Sequence, residues 1–152
     1  MNKFITLAAL GLCFSSINAQ EAKEEKKAEE GFVFTTIKEN PITSIKNQNR
    51  SSTCWSFSSV AFLESELLRQ GKGEFDLSEM FIVHHTMEDR AVNYVRYHGD
   101  ASFSPGSSFE DMVVCYEKYG MVPQDAMPGI MYGDSLPVHN ELDAVAGAYV
   151  EA

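Results

Sequence analysis

Along the chain the alternation of apolar and polar residues changes period several times, and each change marks an element. Residues 4–14 are almost continuously apolar, residues 21–30 hold nothing apolar larger than alanine, and apolar patterning resumes at Phe32. Gly31 to Lys38 alternates weakly through Phe32, Phe34 and Thr36, which predicts a short strand or extended segment. From Trp55 to Gln70 the period becomes helical, with Val60, Leu63 and Leu67 on the buried face and Glu64 and Glu66 off it; Gly71-Lys72-Gly73 ends the run. A second helix is predicted from Asp76 or Ser78, either of which can cap it, with Glu79 complementing its positive end. Met87 to His98 extends or follows that helix and offers Ala91, Tyr94 and Val95 as a buried side. After a loop from Gly99 to Ser108, a third helix runs to Tyr119 and closes on Gly120. The run from Glu141 to Val150 reads as the start of another helix, and no internal repeat is visible.

The first thirty residues are set apart by composition. Met-Asn-Lys, the apolar stretch and the small residues ending Asn18-Ala19 make residues 1–19 a secretory signal peptide with cleavage expected after Ala19. Its apolar core is far shorter than the roughly 20 residues that span a bilayer. A lipid anchor on Cys13 is disfavoured because Leu12 is bulky where such signals carry a small residue. Residues 20–30 read as a charged linker, a solvated tether rather than a partner-binding tail, since they cannot bury enough apolar surface to offset ordering. The folded domain is expected over residues 31–152, and the location is secreted or periplasmic.

The formal net charge is -10 and becomes -11 once Lys3 leaves with the signal. No lysine or arginine stripe offers a phosphate-binding surface, so nucleic acid is not an expected partner, nor is a membrane after signal cleavage. Two cysteines remain, Cys54 and Cys115. A disulfide between them is permitted in an oxidising compartment, but two cysteines make no framework, and Cys115 reads as a core residue of the third helix. Paired Cys or His spacing of the zinc kind is lacking, so neither metal nor cofactor is expected.

Cys54 has the chemistry. Ser51, Ser52 and Thr53 favour a helix N-cap, which places Cys54 in the first turn, where unpaired N–H groups and the helix dipole favour a thiolate. Gln48 lies just upstream as a side-chain amide donor. This segment, Gln48 followed by Cys54-Trp55-Ser56-Phe57, resembles the nucleophile segment of papain-like cysteine peptidases. Lys46-Asn47-Gln48-Asn49-Arg50-Ser51-Ser52 is similar to the bleomycin hydrolase and aminopeptidase C branch. Papain-type signatures carry Cys and Gly where this chain has Ser51 and Ser52, so the disulfide of that first cysteine is not expected.

The resemblance implies an α+β, papain-like fold of which these residues form mainly the helical, nucleophile-bearing lobe. It makes Cys54 the nucleophile that forms an acyl-enzyme. Gln48 and the Cys54 N–H become donors to the oxyanion. Leu77-Ser78-Glu79 is similar to the start of the corresponding second helix. Gly106 and Ser107 sit where related enzymes carry a Gly-Gly pair that binds substrate main chain, and Trp55 reads as an apolar residue at the lobe interface. A peptide is thus the implied substrate. Homo-oligomers of that branch make a homo-oligomer an option for a full-length enzyme.

In papain-like enzymes the catalytic histidine follows the cysteine by roughly 130 to 150 residues. Here His84, His85, His98 and His139 follow Cys54 by 30, 31, 44 and 85 positions. A satisfied surface or core histidine is the default reading of each, His139 included. The expectation is therefore an N-terminal portion of a longer cysteine peptidase, inactive alone because the catalytic His and Asn are absent. The alternative is a non-catalytic peptide-binding or interaction module derived from such an enzyme.

Overall fold

A computed structural model describes residues 31–131, 133 and 135–152. The signal peptide and linker expected over residues 1–30 lie outside the described residues. Contacts divide the chain into two units, residues 31–36 falling in the first and Ile37 to Ala152 forming the second. In the first, Phe32, Val33 and Phe34 are exposed. Residues 31–38 form neither helix nor strand. The strand expected there is not formed, because extended chain becomes a strand only when a second segment pairs with it.

The second unit contains α1 (Cys54–Arg69), α2 (Glu79–Arg96), α3 (Phe109–Tyr119) and α4 (Asn140–Glu151). Helices α1, α2 and α3 pack on one another, and α4 leans on α2. Trp55, Val60, Met80, Ile82, Val83, Met112 and Cys115 form the core. Among the described residues β pairing is confined to two isolated bridges, Arg50 with Val138 and Leu77 with Pro123. A helical lobe is what these residues build, and the β half of the expected α+β class has no counterpart among them.

Helix ends follow local chemistry. At the end of α1, Gly71 takes a left-handed φ of 69°, which lets the Gly71 and Lys72 N–H groups turn back to the carbonyls of Leu68 and Leu67. Ser78 is the N-cap of α2, its hydroxyl accepting from the Phe81 N–H at 3.0 Å. Gly120, with φ 81°, closes α3. Helix α2 is continuous from Glu79 to Arg96, so Met87 to Arg96 extends it.

Two burial expectations fail. Val95 is exposed, and α2 buries Met80, Ile82, Val83 and Thr86 instead. Glu64, expected off the buried face, is 1 % exposed. It stands four residues after Val60 and therefore on the same stripe of the helix. Polar partners from other segments make its burial tolerable.

Candidate active site

Cys54 is the first residue of α1 and is exposed. Thr53 occupies the N-cap position, yet its side chain makes no cap hydrogen bond. The Ser51 hydroxyl donates to the Gln48 carbonyl at 2.8 Å and lies 2.5 Å from the Thr53 hydroxyl. Both residues are fully buried. The hydroxyl cap expected from Ser51-Ser52-Thr53 is thus absent, because these hydroxyls turn back toward the loop. The Ser56 and Phe57 N–H groups reach the Thr53 carbonyl at 3.0 and 3.2 Å. Those of Cys54 and Trp55 have no acceptor among the described residues. An uncapped start leaves donors pointing out of the helix beside the sulfur.

The turn into α1 is tightly specified. Asn49 and Ser52 adopt left-handed φ values of 47° and 56°. The Asn49 N–H donates to Asn47 Oδ1 at 2.8 Å. The Arg50 N–H bonds the Pro137 carbonyl at 3.2 Å, and the His139 N–H bonds the Arg50 carbonyl at 3.1 Å. The Cys54 loop is therefore clipped to the segment that leads into α4.

On one side of Cys54 lies a cavity of about 380 Å³ lined by Ile42 to Lys46, Gln48, Phe57, Glu64 and Glu79 among others. Gln48 and Cys54 both border it. The Gln48 Oε1 is buried without a partner, and its amide nitrogen donates to nothing among the described residues. Two positions upstream, the Lys46 ammonium lies 2.7 Å from Asp76, 2.7 Å from Glu79 and 3.5 Å from Glu64, and it donates to the Leu77 carbonyl at 3.0 Å. Glu64 also accepts from the Thr43 hydroxyl at 2.5 Å and the Leu77 N–H at 2.8 Å. The segment carrying Gln48 is fastened through Lys46 to α1 and α2 at once.

One ammonium facing three carboxylates leaves an excess of negative charge. Burial pushes the Glu79 carboxyl above its ordinary range, against the pull of Lys46 and with Glu64 adding to the rise. Burial also acts to lower Lys46. Its hydrogen bonds to Asp76 and Glu79 and the nearby charges of Glu79 and Glu64 prevail and hold it above 10.5. The two shifts have different causes: burial dominates at Glu79, whereas at Lys46 the surrounding carboxylates outweigh burial.

On the other side an open cavity of about 740 Å³ is lined by Cys54, Trp55, Ser58, Ser59, Phe62, Ser107, Ser108 and Phe109. The structure thus brings Ser107 of the sequence-predicted substrate loop to the same cavity as Cys54. Trp55 is buried and its indole N–H donates to the Pro105 carbonyl at 3.0 Å. It is a tether between α1 and the loop as well as an apolar plug. A Cβ added at Gly106 would meet open space. Arg90 of α2, which sequence reasoning missed, reaches four groups around this loop.

The histidines stand elsewhere. His139 is buried and lines, with Thr53, His84 and Glu88, a separate cavity of about 420 Å³ between α2 and α4. Neither cavity bordered by Cys54 has a histidine in its lining. The ligand atoms of His84, His85 and Glu88 lie within 4.8 Å of one another. Their pairing along one face of α2, at 3.4 Å for His84 with Glu88 and 3.1 Å for His85 with Glu88, is an ordinary helical one. Cys115 is buried, and burial pushes its thiol up to about 11, which keeps it protonated and unreactive near neutrality.

A model of the papain family of cysteine proteases matches residues 32–95. The match covers Gln48, Cys54, α1 and most of α2, less than half of the chain, and ends before the loop at Gly106. No curated protein matches the chain. Similarity to that family supports cysteine peptidase chemistry, and no helix among the described residues is long and apolar enough to cross a membrane.

Proposed function

We propose that this chain carries the nucleophile and oxyanion-binding half of a cysteine peptidase of the aminopeptidase C and bleomycin hydrolase type. One observation carries the reading: an exposed thiol on an uncapped helix start shares a cavity with a side-chain amide that donates to nothing else. Cys54 attacks the peptide carbonyl, and the carbonyl oxygen becomes an oxyanion held by the Cys54 N–H and the Gln48 amide. The Gln48 Oε1 stays unpaired behind it, so the amide loses little by turning its N–H groups to the substrate. Collapse of the tetrahedral adduct releases the amine and leaves an acyl-enzyme, which water then hydrolyses. The imidazole that protonates the amine and its orienting Asn belong, in this reading, to a segment other than those described. Export through a leader at residues 1–19 and a tether at 20–30 belong to the same proposal.

The test is covalent. A peptidyl electrophile should label Cys54 at least tenfold faster per unit concentration than Cys115, as read by peptide mapping. Gln48→Ala should slow acylation about 10²- to 10³-fold. Labelling that moves to Cys115, or peptide hydrolysis retained by Cys54→Ser, removes the assignment.

A further inference from the structure

The loop beside Cys54 is fastened by a cation to which the proposed reaction gives no role. From α2, Arg90 Nη1 donates to the Ser104 carbonyl at 2.7 Å and to the Gly106 carbonyl at 2.5 Å. Its Nη2 donates to the Ser107 hydroxyl at 2.8 Å and pairs with Asp111 at 3.0 Å. The Ser107 hydroxyl in turn donates to the same Asp111 oxygen. With Trp55 on the Pro105 carbonyl, the carbonyls of three successive residues are taken up beneath the loop. The Ser107 side chain is drawn down with them. The Ser107 N–H and C=O have no partner among the described residues, and Ser107 borders the open cavity at Cys54.

We propose that Arg90, with Asp111, is the positioning residue that makes Ser107 a main-chain docking edge for an extended peptide. Serine in place of a side-chain-free residue crowds the approach of a peptide backbone only if its hydroxyl faces the cleft. Arg90 and Asp111 turn it away, and the five fixed donors of a guanidinium do this while also fixing the carbonyls on either side. What remains exposed is one donor and one acceptor on one residue, the pattern that pairs with a strand of any sequence. The edge selects substrates by backbone geometry, and side-chain selectivity must come from elsewhere in the cleft.

This inference rests on the peptidase reading, and a comparison of probes separates the two. In the full chain, the rate of Cys54 alkylation is measured for a peptidyl electrophile and for analogues N-methylated at each backbone amide in turn, each divided by the rate with iodoacetamide. Wild type should favour the peptidyl probe, and methylation at one amide should cost about tenfold, the value of roughly one hydrogen bond. In Arg90→Ala that methylation penalty should shrink to less than twofold, and Arg90→Lys should fall between. Ser107→Val should also lose the penalty, since its side chain cannot be drawn under the loop. No peptidyl preference in wild type sinks both readings. A preference with a flat methylation scan, or a full penalty retained in Arg90→Ala, overturns the role of Arg90 and leaves the peptidase reading standing. Should Arg90→Ala fail to fold in a circular-dichroism melt, the wild-type scan and Ser107→Val still decide.

Discussion

Two walls flank Cys54, and each is held by one cation, but the two are built on different physics. On the Gln48 side Lys46, 21 % exposed, meets Glu64 and Glu79, whose side chains are 2 % and 4 % exposed, as well as the open Asp76. On the loop side Arg90 and Asp111 are 20 % and 38 % exposed, and three of the four groups that the guanidinium meets, two carbonyls and a hydroxyl, are neutral. The first wall is a low-dielectric charge cluster in which removing the cation strands two carboxylates away from water. The second is a hydrogen-bonded clamp whose partners solvent can partly replace. Under the proposed function, the charge cluster stands on the side of the oxyanion donor, which needs a fixed address, and the clamp on the side of a substrate edge, which needs only the correct face outward.

The largest test of that contrast is Lys46→Met. It should destabilise the chain by about 3–5 kcal/mol in urea unfolding, the typical cost of breaking a buried pair from one side. Glu64→Gln and Glu79→Gln in the Lys46→Met background should recover much of the loss, and failure to recover it would mean the ammonium acts through packing alone. Arg90→Ala should cost less, about 1–2 kcal/mol, because its partners are partly hydrated. Equal costs at the two walls would erase the distinction.

A pH series sharpens it further. The folded pKa of Lys46 is raised above 10.5, so its stabilisation is fully present below that value and is lost as pH rises through the higher folded one. Glu79, raised above 4.5, runs the same way at the acid end: its contribution is fully present below 4.5 and declines as pH rises through its folded value. Melting curves of wild type and Lys46→Met should therefore converge above pH 10.5. The smallest effect belongs to Glu66 with Arg69, an exposed helical pair at 2.7 Å. Glu66→Ala should leave the melt unchanged, and a visible shift would show that surface ion pairs matter here as much as the buried cluster.

Much of this architecture is legible in the sequence wherever its cause is local. Gly71 and Gly120 end helices and Ser78 starts one because a left-handed residue or a capping hydroxyl acts within a few positions. Cys54 at a helix start and Gln48 before it are legible for the same reason. Glu64 was open to a local reading as well, since four residues after Val60 is the same face, but an acidic side chain there suggests solvent until Lys46, Thr43 and Leu77 are known to meet it. Those partners come from residues 18 and 21 positions before it and 13 after it. Arg90 is harder still, because nothing near it in sequence hints that its guanidinium reaches residues 104–107. Ser51 and Thr53 mislead in a different way: they have the right chemistry for a cap and spend it on each other and on Gln48.

The turn between Gln48 and Cys54 constrains which sequences can present this thiol at all. Asn49 and Ser52, neither of which lines either cavity at Cys54, sit in backbone conformations that cost an ordinary residue about 1–2 kcal/mol and a β-branched one more. Glycine, asparagine and aspartate form most of the affordable alphabet there. The spacing of six between Gln48 and Cys54 is thus specified as a shape, and under the proposed function a library that randomises these two positions should lose more active members than one that randomises the exposed faces of α1.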